Sequence, residues 1–93
     1  MYDGILNRMR RLVLERRYIV TAHAYDEMIA DELAIWDVES VILTGKIVER
    51  QKDQVTSENK YRIRGEALDG STVEVVVKFG VTAKLVVITV YGF

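Results

Sequence analysis

The chain of 93 residues contains no cysteine, no proline and one histidine, His23. Without cysteine there are no disulfides and no thiolate ligands, so stability must come from packing or from a partner. One histidine also argues against a zinc site built from this chain alone. No apolar run approaches the ~18 residues that span a bilayer, and the N-terminus lacks a signal-like apolar region. These absences predict one soluble, cytoplasmic domain, 1–93, with a modest core.

Charge is almost balanced overall but unevenly distributed along the chain. The net charge is −1 at pH 7, which by itself does not indicate nucleic-acid binding. The first 20 residues carry five arginines, whereas residues 21–40 carry six acids and no lysine or arginine. Basic side chains return after residue 41. Two interpretations stay open: solvated surfaces with intramolecular pairing, or a functional basic patch.

The first 45 residues have the apolar spacing of helices. A first helix is predicted from Asp3, as its cap, to about Glu15, and residues 18–20 form an extended connector. Thr21 is expected to cap a second helix, accepting from the N–H of His23 or Ala24, that ends near residue 31 or 32. A third helix buries one side and stops at Gly45. Its inward residues are Val38, Val41 and Ile42.

From Lys46 the apolar period changes to two, which predicts strands over 46–50, 61–67, 72–79 and 85–91. Residues 51–60 are polar and indicate a loop. A three-residue turn over 68–70 pairs Ile63 with Val75 and Arg64 with Glu74, and places Gly70 where a bulge needs a left-handed residue. The predicted fold is α+β: two to three N-terminal helices on one face of a four-stranded antiparallel sheet.

His23 is the side chain whose ordinary pKa lies closest to neutrality, so it could serve as acid or base. At a helix N-terminus the dipole disfavours the charged imidazole. Asp26 and Glu27, three and four residues further on, favour it. One interpretation is a catalytic or phosphate-binding imidazole. The other is a histidine that bonds a backbone carbonyl and fastens the second helix to the sheet.

Basic side chains recur on the predicted strands and could position phosphates. Tyrosines on the same strands could add stacking or a proton-donating hydroxyl. The alternative is an ordinary solvent-facing surface that Glu66 and Glu74 neutralise, with Arg64 paired to Glu74 across the strands. The candidate residues are Arg62, Arg64, Lys78, Lys46, Arg50, Lys60, Tyr61 and Tyr91.

Residues 18–28, YIVTAHAYDEM, resemble the opening of a small bacterial and archaeal family of domains of unknown function. Its members carry a T-x-H-A-x-x-x-M signature after a basic first helix. The resemblance continues through 37–42 and 45–49, resumes at 61–62 and 75–77, and ends in 85–91, so it covers nearly the whole chain from Leu6. This family looks related to the RelE-like toxin superfamily, including the BrnT and MqsR branches, and its genes often lie beside antitoxin-like genes.

The resemblance implies a RelE-like fold and a ribonuclease toxin that cleaves mRNA, free or on the ribosome, and that a cognate antitoxin protein neutralises. Metal-free RNA cleavage needs an activated 2′-hydroxyl, a stabilised phosphate and a protonated leaving oxygen. In this hypothesis His23 is the acid or base, Arg62 and Arg64 stabilise the phosphate, and Tyr61 or Tyr91 assists. The RNA-binding side chains are Lys46, Arg50, Lys60 and Lys78.

A second hypothesis is a non-catalytic interaction module, or degenerate toxin, on the same fold. The near-neutral charge and the apolar Val76 and 86–88 surface motivate it, and a homodimer is then expected. Trp36 is expected in the core, with contact to an antitoxin-type partner as the alternative. No phosphate-binding glycine loop, metal-ligand cluster or nucleophile elbow is present, so no cofactor or metal is predicted.

Overall fold

A computed structural model describes residues 2–93, which form three helices and a five-stranded sheet. The elements are α1 (Asp3–Leu14), β1 (Tyr18–Val20), α2 (Ala22–Ala30), α3 (Ile35–Thr44), β2 (Lys46–Lys52), β3 (Asn59–Glu66), β4 (Thr72–Phe79) and β5 (Leu85–Gly92). The strand order is β1-β5-β4-β3-β2, with β1 parallel to β5 and the other pairs antiparallel. The α+β class is confirmed, whereas the all-antiparallel sheet of four strands is wrong.

The three helices were predictable from their apolar stripes and caps. Thr21 caps α2 as expected, accepting a hydrogen bond from the N–H of Ala24 at 3.1 Å. In α1 the cap position belongs to Tyr2, and Asp3 stands in the first turn instead. There its carboxylate still complements the positive end of the helix dipole.

Residues 18–20, expected to be a connector, form the edge strand β1. The N–H of Leu85 donates to the Arg17 carbonyl at 3.0 Å, and that of Thr21 donates to the Val87 carbonyl at 3.1 Å. Three residues are too few to show an alternating pattern, and their partner strand lies near the other end of the chain. Local sequence therefore gives little indication of a parallel pair.

The hairpin of β2 and β3 is longer than predicted. Lys52 pairs with Asn59, so the loop covers residues 53–58 rather than 51–60. Asp53 closes it by accepting from the N–H groups of Val55 and Thr56 at 2.8 and 2.9 Å. The end of the hairpin is polar and exposed, so it lacks the apolar alternation that identifies a half-buried strand.

The turn between β3 and β4 has the predicted register. Ile63 pairs with Val75 and Arg64 with Glu74. Gly70 has φ +86°, the left-handed conformation that the three-residue turn required.

The helices cover one face of the sheet, and we call the other face the open face. Trp36, expected in the core, is 59% exposed. It precedes Val38 by two positions, which is about 200° around the helix, so it points away when Val38 faces the sheet. The buried helical residues are Leu6, Met9, Leu12, Val13, Ala24, Met28, Val38, Val41 and Ile42, and the buried sheet residues under them include Ile63, Val73, Val75, Val77, Leu85, Val87 and Val90.

Two glycines allow α3 to approach β3 closely. A Cβ at Gly65 would lie 2.5 Å from the Val41 carbonyl oxygen and 3.0 Å from the Gly45 Cα. Arg10 reinforces this junction from α1, donating to the carbonyls of Ile42 and Gly45 at 3.1 and 2.7 Å. The C-terminal end of α3 is thereby fixed against β3, the strand that carries Arg62 and Arg64.

The close approach predicts that Gly65→Ala destabilises the protein. The added methyl meets backbone atoms that cannot rotate away, and overpacking of this kind costs about 1–3 kcal/mol. Gly4→Ala is the matched control, because a Cβ there has nothing within 4 Å and alanine suits a helix. Urea unfolding should show a lower midpoint for Gly65→Ala and an unchanged or higher one for Gly4→Ala. Equal midpoints would contradict the close packing.

Candidate functional site

A fully buried carboxylate lies on the open face of the sheet. Glu74 has an exposed fraction of 0%, although no helix covers this face. Its neighbours in the pairing register are Arg64 on β3 and Tyr91 on β5. We call Glu49, Arg62, Arg64, Glu74 and Tyr91 the Glu74 cluster.

Three side chains donate hydrogen bonds to the Glu74 carboxylate. Arg62 Nη1 and Tyr91 Oη donate to Oε1 at 2.9 and 2.6 Å, and Arg64 Nε donates to Oε2 at 2.6 Å. Arg62 Nε also donates to Glu49 Oε1 at 3.1 Å. The carboxylate is thus held by two guanidinium groups and a phenol, all of which the sequence had marked as candidate site residues.

These contacts fix the protonation states within the cluster. Burial alone would raise the pKa of Glu74, but the hydrogen bonds from Tyr91, Arg62 and Arg64 more than offset it and lower that pKa to about 2. The same hydrogen bond to Glu74, together with burial, raises the pKa of the Tyr91 phenol. Near neutral pH Glu74 is therefore an anion that orients its neighbours, and Tyr91 is a hydroxyl donor.

Two β-bulges bring members of the cluster to the open face. The β2–β3 register shifts between Ile47 and Glu49, and the β4–β5 register shifts between Val76 and Val77. Without the extra residue in each strand, Glu49 and Tyr91 would point to the helix side, because side chains alternate along a strand. Bulges that re-aim a side chain are over-represented near active sites.

Arg64 keeps hydrogen-bond donors that the cluster does not use. Its side chain is 50% exposed, and within residues 2–93 only its Nε makes a hydrogen bond. Lys46 pairs with Arg64 across the strands and is exposed, and it makes no ion pair with any described carboxylate. Both lie beside a cleft of about 380 Å³ whose other lining residues are Thr44, Gly45, Gly65 and Glu66.

Unlike Lys46, each of the remaining predicted RNA-binding cations is ion-paired or lies on the other face of the sheet. Lys60 pairs with Asp53 at 3.5 Å, and Lys78 pairs with Glu58 at 2.9 Å. Arg50 pairs in register with Tyr61 and so belongs to the helix-side face, because the bulge after Ile47 reverses the alternation. Lys60 and Lys78 therefore share the open face with Arg62 and Arg64 but are already ion-paired, whereas Arg50 lies on the other face.

Tyr61 also lies on the helix side of the sheet, away from Arg62. It is buried, and its ring makes edge-to-face contacts with Tyr2 and Phe79, with centroids 6.4 and 6.3 Å apart. The alternation of β3 required this placement. Its position is that of a core residue.

His23 is exposed at the start of α2 and lies apart from the Glu74 cluster. Its side chain is 68% exposed, and its Nε2 lies 3.2 Å from Glu27 Oε1. Glu27, rather than the imidazole, fastens α2 to the sheet, because its Oε1 accepts from the Val90 N–H at 3.0 Å. No described hydrogen bond or ion pair joins His23 to Arg62 or Arg64.

Sequence reasoning identified Arg64 and Glu74 as a pair but missed Glu74 as the centre of a cluster. One signal was present: Glu74 interrupts the apolar run of Val73, Val75, Val76 and Val77. A charged residue in such a run is rarely buried unless it is paired. Glu49 gave no comparable signal, because it lies in a polar strand.

A family model described as a domain of unknown function, DUF4258, matches residues 20–92. The chain therefore belongs to this family. No curated protein and no solved structure shows significant similarity to it. Within residues 2–93 no helix is long and apolar enough to cross a bilayer, and no group of three His, Cys, Asp or Glu side chains is placed to hold a metal ion.

The Glu74 contacts predict a pH dependence of stability. The folded-state pKa lies below the ordinary 4.5, so the ionised carboxylate stabilises the fold above that pH and loses this contribution as the pH falls toward 2. Glu74→Gln mimics the protonated side chain. The difference in unfolding free energy between wild type and variant, measured in urea, should be large at pH 7 and vanish near pH 2. A difference that does not change with pH would contradict the assignment.

Proposed function

We propose that the protein is a toxin-type endoribonuclease of a toxin–antitoxin system, cleaving RNA without a metal ion. The carrying observation is that Arg62, Arg64 and Tyr91 converge on the buried carboxylate of Glu74. A buried ion pair is weak evidence for stability, because well-packed apolar residues often replace one without loss. Perturbed, paired groups of this kind concentrate at functional sites.

In the proposed mechanism the phosphate binds at the open face. The unused N–H donors of Arg64 and the ammonium of Lys46 offset the charge that develops on the phosphate oxygens. Glu74 holds the Arg64 guanidinium in one orientation, which reduces the reorganisation needed during the reaction. Arg62 and Tyr91 complete this support.

Proton transfer is assigned to His23, because imidazole is the side-chain type most suited to both giving and taking a proton near neutral pH. The imidazole is exposed and adjoins Glu27, which is itself held by the backbone of β5. Arg64 lies on the open face of the sheet and His23 lies at the start of α2, so one RNA strand must extend from that face to α2 to reach both groups. The proposal therefore requires a substrate of several nucleotides and a movement that brings His23 to the reacting phosphate.

Arg64→Ala should lower the cleavage rate of a fluorescent RNA oligonucleotide by about 10²-fold, as expected for loss of one preorganised donor to a developing oxyanion. Lys84→Ala is the control, since it removes an equal charge in the turn between β4 and β5. Its rate should match wild type. No RNA cleavage by the wild-type protein, or equal loss in both variants, would overturn the proposed site.

His23→Ala should abolish growth inhibition when the protein is induced in a bacterium that lacks the antitoxin. In vitro it should lower kcat with little change in KM, because the imidazole transfers protons rather than binding RNA. Arg64→Ala should also raise KM. If His23→Ala is as toxic as wild type, the assignment of His23 fails and the ribonuclease proposal loses its acid or base.

A non-catalytic interaction module is the second candidate function. It is favoured by the ion pairs of Lys60, Arg62 and Lys78, which neutralise most of the expected basic face. An RNA-binding face predicts an affinity that falls steeply with salt. RNA titration at two salt concentrations, with gel filtration of the same sample, separates the two functions: a dimer indifferent to RNA supports the interaction module.

A further inference from the structure

The outer edge of β1 has no strand beside it. The Arg17 carbonyl and the Thr21 N–H form hydrogen bonds with β5. Backbone groups of alternate residues point to the same side of a strand, so those of Ile19 also face β5. The backbone N–H and C=O groups of Tyr18 and Val20 therefore point away from the sheet. These four groups are a template for one more strand.

A cleft of about 420 Å³ adjoins this edge, and we call it the β1 cleft. It is lined by Arg16, Tyr18, Ile19, Val20, Tyr25 and Ile35. Exposed apolar side chains continue from it: Ile29, 74% exposed, is one helical turn beyond Tyr25, and Trp36, 59% exposed, follows Ile35. The unpaired backbone and the exposed apolar surface thus lie together.

The other sheet edge is protected in ways that β1 is not. β2 carries Lys46, Arg50 and Lys52 and contains a bulge, and both features discourage edge-to-edge pairing. The part of the β5 edge that extends past β1 is covered by α2. There Glu27 and Asp31 accept hydrogen bonds from the N–H groups of Val90 and Gly92, each at 3.0 Å. Only the short apolar edge of β1 is left without charge, bulge or cover among the described elements.

Arg16 occupies a strained backbone position next to the cleft. It follows α1 with φ +60°, where glycine is the usual residue. Its Nη1 contacts Glu39 at 3.2 Å, and the side chain is 77% exposed. A guanidinium has five N–H donors, so most of them remain available to a ligand.

We propose that β1 binds an extended segment of a partner protein, which adds to the sheet as a sixth strand. An apolar side chain of the segment fills the β1 cleft between Tyr25 and Ile35, and a carboxylate of the segment accepts from Arg16. Main-chain hydrogen bonds supply affinity in this mode, and the cleft supplies selectivity. The inference does not depend on RNA cleavage.

A second copy of this chain fits the edge less well than a separate segment. Antiparallel pairing of two β1 strands would bring Arg16 and Arg17 of each copy toward the first turn of the other α2, which contains no acidic residue. A separate segment can instead present a carboxylate to Arg16.

The test uses the full chain and capped nine-residue peptides that alternate valine and threonine, with a central leucine and terminal aspartates. Two further peptides are N-methylated at every second backbone amide: one at the odd-numbered positions and the other at the even-numbered positions. Only one set faces β1, so one methylated peptide should bind like the parent and the other should not. In the free protein the amide hydrogens of Tyr18 and Val20 should exchange quickly, and the parent peptide should protect both.

Variants identify the cleft as the binding position. Tyr25→Ala should weaken the parent peptide about tenfold, as for an interface anchor. Val55→Ala, which shortens an apolar side chain 92% exposed in the loop between β2 and β3 at the other edge of the sheet, should not. Arg16→Gly should raise stability by relieving the backbone yet weaken the peptide, and a purely structural arginine would not give that combination.

Three results would overturn the proposal. One is no binding of the parent peptide at millimolar concentration. Another is equal binding of both methylated peptides, which excludes main-chain pairing. The third is a free protein that is dimeric with Tyr18 and Val20 amides already protected, which assigns the edge to a second copy.

Discussion

The backbone hydrogen bonds along the outer edge of β5 are the constraint on which the rest of the structure depends. The first half of this edge pairs with β1. The second half is bonded by side chains of α2, with Glu27 on the Val90 N–H and Asp31 on the Gly92 N–H, each at 3.0 Å. Glu27 and Asp31 are four residues apart on α2, a rise of about 6.0 Å, and Val90 and Gly92 are two residues apart on β5, a rise of about 6.6 Å. Because the two distances nearly match, each carboxylate lies beside one N–H group. One strand thereby fixes the positions of both the N-terminal strand and the second helix.

The same constraint explains the roles of most of the distinctive residues in segment 21–28. Thr21 caps α2 and also donates from its hydroxyl to the Ile88 carbonyl at 3.2 Å, which joins the cap to β5. Ala24 and Met28 are buried beneath the helix, with 0% and 3% exposure. His23 has no such structural role: its ring is exposed and adjoins Glu27, which already holds the helix in place. Its exposure leaves the imidazole accessible, which is why the histidine carries the proton-transfer role in the proposal.

The sequence predicted the parts of this fold whose causes are local. Apolar stripes, the Thr21 cap and the glycine in the β3–β4 turn each act within a few residues, and the helices and the pairing of Arg64 with Glu74 followed from them. The parallel strand β1 and the two bulges depend on partners distant in sequence, so no local sequence pattern predicts them. For the site, the predicted β3–β4 register was enough to identify the ion pair of Arg64 with Glu74. It was not enough to find the cluster, because the placement of Tyr91 depends on a shift elsewhere in the β4–β5 ladder.

The two bulges connect the fold to its chemistry. Each adds one residue to a strand, and each moves a polar side chain from the helix side to the open face: Glu49 opposite Arg62, and Tyr91 opposite Glu74. On the helix side the same side chains would bring a charge and a phenol to the layer that packs against the helices, where an unpaired polar group is costly. On the open face Tyr91 donates to the fully buried carboxylate of Glu74, and Glu49 accepts from Arg62. The sheet thus keeps an apolar layer under the helices and a polar, hydrogen-bonded cluster on its other side. Because the cluster leaves the end of Arg64 exposed, it presents an oriented cation to solvent on the open face.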